Sequence, residues 1–371
     1  MRLTWLLLSS LLGAQTIAST HPPTHTTIPA GQVSGTARAD TIVGLSPFGG
    51  PHITVHNGSA YEWWYFDVVS HNFSAAIVMQ FYPAWFPDSN AILLNIVGVP
   101  NKDTVIRERI PAGALEISTV GDGSQGYVKD GAMTWFGAPD LSVYNLTLDV
   151  DVEGVSIKGT VSMHATAPAH VECGLTKYGN LFTRSDVISW ANAVPDAAAM
   201  VDLMVDGVGY SFEGSGYHDQ NWGLRPFTDD LTQWYWGHFT AGRYSVVYGY
   251  YWDASLNISS SIYLADEGTP LVYGCRDGLV QVTARGPGIS VPVVELEDVE
   301  GWDVVIDDPV EGRFSFFIEN TITTVRGDPT VTRFVGRVTG GRTGEANSTG
   351  PALVELMSNP RLNSASSERL S

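Results

Sequence analysis

From Tyr61 onward, short apolar runs alternate with clusters of Gly, Asn, Asp and Pro. YEWWYFDVV, SAAIVMQFY, AILLNIVGV, LSVYNLTLDVDV and VSIKGTVSMHA come first; QWYWGHFTAGRYSVVYGYYWD, SSIYLADE and FSFFIENTIT follow. Runs rich in β-branched and aromatic residues, punctuated by turn formers, are the composition of strands. Helical periodicity is weak, and its best stretch, Ser185 to Asp196, is interrupted by Pro195. The pattern predicts an all-β chain. Many strands in one chain favour barrels and sandwiches, which close or pair exposed edges. One strand-rich block precedes Arg225 and another follows it, so two β domains are expected, residues 42–225 and 226–345, with a polar tail over 346–371.

In YEWWYFD, a period of two puts Tyr61, Trp63 and Tyr65 on one face and Glu62, Trp64 and Phe66 on the other. Both faces are aromatic. Such a strand is covered on both sides, or lines an enclosed cavity with one of them. QWYWGHF likewise sets Trp234, Trp236 and His238 opposite Tyr235 and Phe239. In GSGYHDQNWG, glycines bracket the polar set His218, Asp219, Gln220 and Asn221, with Tyr217 and Trp222 as walls. Glycines allow sharp turns and close backbone approach, so this segment reads as a loop or strand end of fixed shape.

These segments hold the candidate chemistry. Asp219 among aromatic neighbours would be desolvated, which raises a carboxyl's pKa and lets it keep a proton for donation. Its structural alternative is an Asx-turn or cap. His218 could relay that proton if a tight turn brings it to Asp219, although adjacent strand residues face opposite ways. Glu62 is the second candidate acid or base, sharing one chamber with Asp219 if the two segments pack together; otherwise it is a buried brace. Asp67 reads as a turn residue. Gln80, a polar interruption in VMQFY, could bind a substrate carbonyl. Trp63, Tyr65, Tyr217, Asn221, Trp222, Trp234, Tyr235 and His238 complete the expected substrate-binding set, His238 having a core residue as its alternative. Aromatic faces of this kind stabilise a developing carbocation by about 0.5–2 kcal/mol each when desolvated.

With 371 residues and 44% hydrophobic content the chain can bury a large core. A formal net charge of −19 argues against nucleic acid and anionic membranes as partners. Residues 1–18 read as a secretory signal peptide, with Arg2 ahead of an apolar run too short to span a membrane, and 19–41, rich in Thr and Pro, as a poorly ordered lead-in. The expected compartment is therefore the secretory pathway. Sequons at Asn57, Asn72, Asn145, Asn257 and Asn347 are compatible with glycosylation. Cys173 and Cys275 permit one disulfide or two buried thiols. No metal-ligand spacing, P-loop, dinucleotide fingerprint or G-x-S-x-G occurs, so neither metal nor cofactor is expected.

E-W-W-Y-F-D at Glu62 to Asp67, with G-Y-H-D-Q-N-W-G at Gly216 to Gly223, resembles the hydroxyneurosporene synthase or carotenoid 1,2-hydratase family. That family is similar to fungal Diels–Alderases and epoxide-rearranging cyclases. The resemblance implies paired lipocalin-like domains around a hydrophobic cavity. It also implies a cofactor-independent cyclase or isomerase of fungal secondary metabolism, acting on an apolar polyketide, terpenoid or prenylated alkaloid. Two mechanisms fit: acid-assisted opening of an epoxide or alkene with ring closure, or a pericyclic cyclisation directed by cavity shape. A lipocalin-like carrier and a hydratase are the alternatives. Substrate identity and oligomeric state stay open.

Overall fold

Strand alternation divides the aromatic residues among three separate clusters, and that division is what creates the site. The structure is a computed structural model that describes residues 21–101, 105–185, 187–289, 299–324 and 331–359. The expected signal peptide lies outside the described residues. The strands pair into a 15-stranded and a nine-stranded sheet, all-β as the sequence predicts.

Within the first sheet, Tyr61–Ser70 lies between Val208–Gly223 and Ala76–Tyr82; within the second, Leu231–Ala241 lies between Tyr244–Asp253 and Ser348–Ser358. Trp64, Phe66 and Val68 point into the first sheet's own core with Met79, Phe81 and Leu94. Tyr235 and Phe239 do the same in the second sheet, against Trp302 and Phe316. The remaining faces meet: Trp63, Tyr65 and Tyr217 pack with Trp234, Trp236, Leu353 and Met357. The central strands Tyr61–Ser70 and Leu231–Ala241 therefore bury both faces, which explains the aromatic residues on both sides of YEWWYFD. Truncating fully buried Trp64 or Phe66 to Ala would cost about 3–5 kcal/mol.

Polar links and one covalent link reinforce this docking. Buried Asp196 accepts from Ser215 (2.6 Å) in the first sheet and from Thr240 (3.1 Å) and Ser245 (2.5 Å) in the second. Cys173 and Cys275 form a disulfide across 102 residues, tying the first sheet's His170–Val171 and Gly174–Leu175 hairpin to the chain just past Thr269–Gly274 of the second.

Several expectations change. The weakly helical stretch belongs to the 18-residue strand Ile188–Val205, whose pairing slips between Asn192 and Ala197, so Pro195 sits where no ladder hydrogen bond is needed. GSGYHDQNWG, expected as a loop or strand end, is the C-terminal part of the strand Val208–Gly223. Its glycines serve close packing: a Cβ on Gly214 would stand 2.1 Å from the Val69 carbonyl oxygen. The lead-in is ordered from residue 21, with Thr24–Ile28 paired to Leu115–Val120. The tail contributes strand Ser348–Ser358 at the centre of the second sheet, while 360–371 lie outside the described residues. Asp67 stands mid-strand, fully buried, not in a turn. Asn72, Asn145, Asn257 and Asn347 are exposed; Asn57 is half-buried and donates to the Gly35 carbonyl at 3.1 Å. Among the described residues no helix is long and apolar enough to cross a membrane.

Candidate active site

Between the docked faces lies a cavity of about 530 Å³. Register builds its walls. Across the first sheet Asp219 pairs with Tyr65, Tyr65 with Gln80, and Gln80 with Leu93. One step along, Asn221 pairs with Trp63. On the facing sheet Glu355 pairs with both Trp236 and Arg333, and Trp234 with Tyr251. All of these residues are wall residues of one chamber. At its edge Trp63 stacks on Tyr82 (5.1 Å), Tyr82 meets Trp85 edge-on (4.6 Å), and the Arg109 guanidinium lies 4.9 Å from the Trp85 ring centre.

Asp219 is 4% exposed and sits at the cavity wall. Its Oδ2 accepts from Trp190 Nε1 at 2.7 Å and from the Tyr217 hydroxyl at 2.8 Å; its Oδ1 accepts from Asn221 Nδ2 at 3.2 Å. Burial pushes this carboxyl up to about 7, overcoming the pull of the Trp190 and Tyr217 donors, and the charges of Asp67 and Glu355 add to the push. Burial also holds the Tyr217 phenol far above its ordinary value, so it remains a donor. Because Oδ2 is occupied twice, Oδ1 is the oxygen with capacity for a transferable proton.

The opposite wall carries a different carboxyl. Glu355 Oε2 lies 2.6 Å from Arg333 Nε, and its Oε1 accepts from Trp234 Nε1 at 2.9 Å. The Arg333 guanidinium lies 5.7 Å from the Tyr65 ring centre. The chamber thus sets a protonatable acid facing a carboxylate fixed by an ion pair, with aromatic rings between.

Six of the sequence-derived candidates line the cavity: Asp219, Trp63, Tyr65, Gln80, Asn221 and Trp234. Tyr217 stands directly behind the wall and reaches the site through its hydroxyl. The others face elsewhere. Glu62 is fully buried on the core side, accepting from the His52 backbone N–H (2.6 Å), His56 Nε2 (2.9 Å) and Gln220 Nε2 (2.8 Å). It braces the 38–56 segment and shares no chamber with Asp219. His218 stacks on Phe66 at 4.0 Å and donates through Nδ1 to the Tyr65 carbonyl; burial pulls it down to about 3, so it stays neutral and relays nothing to Asp219. Trp222 stacks on His52 and donates to the Asp40 carbonyl. Tyr235 lies in the second sheet's core, its hydroxyl on Gln233. His238 pairs with Asp67 beneath the floor.

Trp190, Trp236, Arg333 and Glu355 were not among the candidates. Trp190 lay in the stretch with helical character and Glu355 in the presumed tail. Glu355 interrupts the apolar run ALVELM just as Gln80 interrupts VMQFY, a signal that could have marked it.

Residues 125–270 match the family model described as carotenoid hydratase CrtC. The chain is 26% identical over 303 residues, 79% of its length and 81% of the relative's, to the quinolone epoxide rearrangement protein asqO of Emericella nidulans. It is 24% identical over 340 residues, 84% of its length and 77% of the relative's, to the Diels-Alderase cheD of Chaetomium globosum. The crystal structure of CghA superimposes with a TM-score of 0.72 at 17% identity, over 90% of this chain and 98% of that one. The chain is thus similar to the carotenoid hydratase CrtC family over residues 125–270, similar in sequence to fungal epoxide-rearranging and Diels-Alderase proteins over most of its length, and alike in fold to CghA.

Proposed function

We propose that the chain is a cofactor-independent cyclase or isomerase of fungal secondary metabolism that protonates an epoxide or alkene with Asp219. The observation that carries this reading is a carboxyl buried in an aromatic cavity, pushed up to about 7, with two close donors on Oδ2 and one longer contact from Asn221 on Oδ1. For an epoxide, the Asp219 proton passes to the ring oxygen and a C–O bond breaks. The developing cation lies against the π faces of Trp63, Trp190, Trp234 and Trp236. A carbon–carbon bond shift or ring closure quenches it, and the proton then lost returns to the Asp219 carboxylate. The net change is an isomerisation, so no cofactor is consumed. Excluding water prevents premature capture of the cation, and the walls hold the guest in one reactive shape.

The relatives' names support this class of reaction, one naming quinolone epoxide rearrangement and the other a Diels-Alder cyclisation. The second reading, a shape-directed pericyclic closure, uses the same chamber without the proton. Asp219→Asn separates them with a quinolone epoxide as probe. The acid reading expects conversion to fall at least about 100-fold with binding retained; unchanged conversion would leave shape alone. The Cys173–Cys275 disulfide supports an oxidising, secretory setting, in which the exposed Asn72, Asn145, Asn257 and Asn347 would be the glycan acceptors.

A further inference from the structure

Below the cavity floor lies a second buried pair that the reaction above does not use. Asp67 is fully buried two residues beyond Tyr65 on the same strand face, and His238 comes from the opposite sheet at 2% exposure. His238 Nε2 donates to the Asp67 carboxylate, 3.0 and 2.9 Å from its two oxygens. The imidazole stacks flat on Tyr217, with ring centres 4.4 Å apart and planes 15° from parallel. Tyr217 is also the strand partner of Asp67, and its hydroxyl donates to Asp219 Oδ2 at 2.8 Å. Contact is therefore continuous from Asp67 through His238 and Tyr217 to the acid. Docking the sheets does not require such a pair, because apolar side chains of similar volume would serve as well without desolvating charge.

We infer that Asp67 and His238 are positioning residues for the acid: they fix the Tyr217 ring, seat its hydroxyl on Asp219 Oδ2, and set one negative charge behind the proton to be donated. The inference rests on Asp219 being the proton donor. His238 holds the ring by stacking, and Asp67 holds His238. With the Tyr217 phenol locked on Oδ2, the proton is confined to Oδ1, the oxygen that has room for a guest.

The groups that surround Asp219 give the signs. Tyr65 and Asp67 come from Tyr61–Ser70, Tyr217 from its own strand, and His238 from Leu231–Ala241. Tyr251 comes from Tyr244–Asp253, and Arg333 and Glu355, paired with each other, from Val331–Arg342 and Ser348–Ser358. His170 stands behind Trp190, with ring centres 5.0 Å apart. Asp67→Asn takes away a like charge but keeps an oxygen that accepts from His238 Nε2, so the ring stays seated and the Asp219 carboxylate is favoured. Removing the His238 ring loosens the Tyr217 donor, which disfavours the carboxylate.

The test needs no substrate. Full-length protein labelled with carbon-13 at aspartate side-chain carboxyls is titrated by NMR, the Asp219 signal being assigned by its loss in Asp219→Asn. Asp67→Asn should move the Asp219 midpoint down, and His238→Gln should move it up, each by about half a pH unit or more. Opposed shifts are the signature that a merely structural pair would not produce. Unmoved midpoints, or shifts in the same direction, would overturn the inference while leaving the acid intact. A wild-type Asp219 that titrates in the ordinary carboxylate range would instead sink the acid reading and the inference with it. Should Asp67→Asn fail to fold, the direction of the shift in His238→Gln decides alone.

Discussion

Replacing Asp219 by Asn should make the protein progressively more stable than wild type as pH rises. The Asp219 carboxyl has an ordinary value of 3.8 and is pushed up to about 7 in the fold, chiefly by burial. An acid whose folded value exceeds its unfolded value contributes stability that is fully present below the unfolded value and is lost as pH rises toward the folded one. The window here runs from about pH 4 to about pH 7. Each unit of difference is worth about 1.4 kcal/mol, so wild type should lose about 4 kcal/mol across the whole window through this group alone, and about 3 kcal/mol of it between pH 5 and pH 8. Asn does not titrate, and every other group is common to both proteins. The altered hydrogen bonds to Trp190, Tyr217 and Asn221 change the offset between the two proteins but not its slope with pH. Urea unfolding followed by tryptophan fluorescence at pH 5, 6, 7 and 8 reads that slope. Parallel stability curves for wild type and Asp219→Asn would refute the claim that the fold holds this carboxyl protonated near neutrality.

Other perturbations separate the roles assigned above. Trp190→Phe removes a charge-assisted donor at 2.7 Å from Asp219 Oδ2, worth about 1.5 kcal/mol, so the alkaline limb of the pH–rate profile should move up by about one unit; an unmoved limb would show that this contact does not set the acid. Glu62→Gln should destabilise the protein by about 2–4 kcal/mol while leaving turnover per folded molecule unchanged, because its partners are His52, His56 and Gln220 rather than a guest. Lost turnover at unchanged stability would return Glu62 to the chemistry. Cys275→Ser opens a link across 102 residues and should cost about 2–5 kcal/mol in urea unfolding; an unchanged midpoint would mean that noncovalent docking suffices.

The period of two carried most of what was legible. It placed Trp63 with Tyr65, and Trp234 with Trp236 and His238, and those faces do meet across the cavity. The same rule, applied along Gly216 to Gly223, separates Tyr217, Asp219 and Asn221 from His218, Gln220 and Trp222, and the structure shows that separation. Because the segment reads equally as a loop or a strand end, a tight turn that would bring His218 to Asp219 stays open in the sequence, and Trp222 enters as a wall of the same segment. Glu62 failed for a related reason: its strand does adjoin Asp219's, but its side chain leaves from the other face. Alternation is local, and which face of a strand meets a cavity is decided by sheet docking. Glu355 and Arg333 depend on that docking, since they arrive from strands more than 100 residues beyond Asp219. The partnership of Asp67 with His238, across 171 residues, had no local signal at all.

If Asp219 gives its proton to a guest in the chamber, a crystal structure with an unreactive quinolone ether bound in place of the epoxide will show the two in contact. The ether oxygen should lie within about 3 Å of Asp219 Oδ1, with Trp190 and Tyr217 still on Oδ2. A ligand filling the cavity with its oxygen turned away from Asp219 and only hydrocarbon against the carboxyl would contradict it.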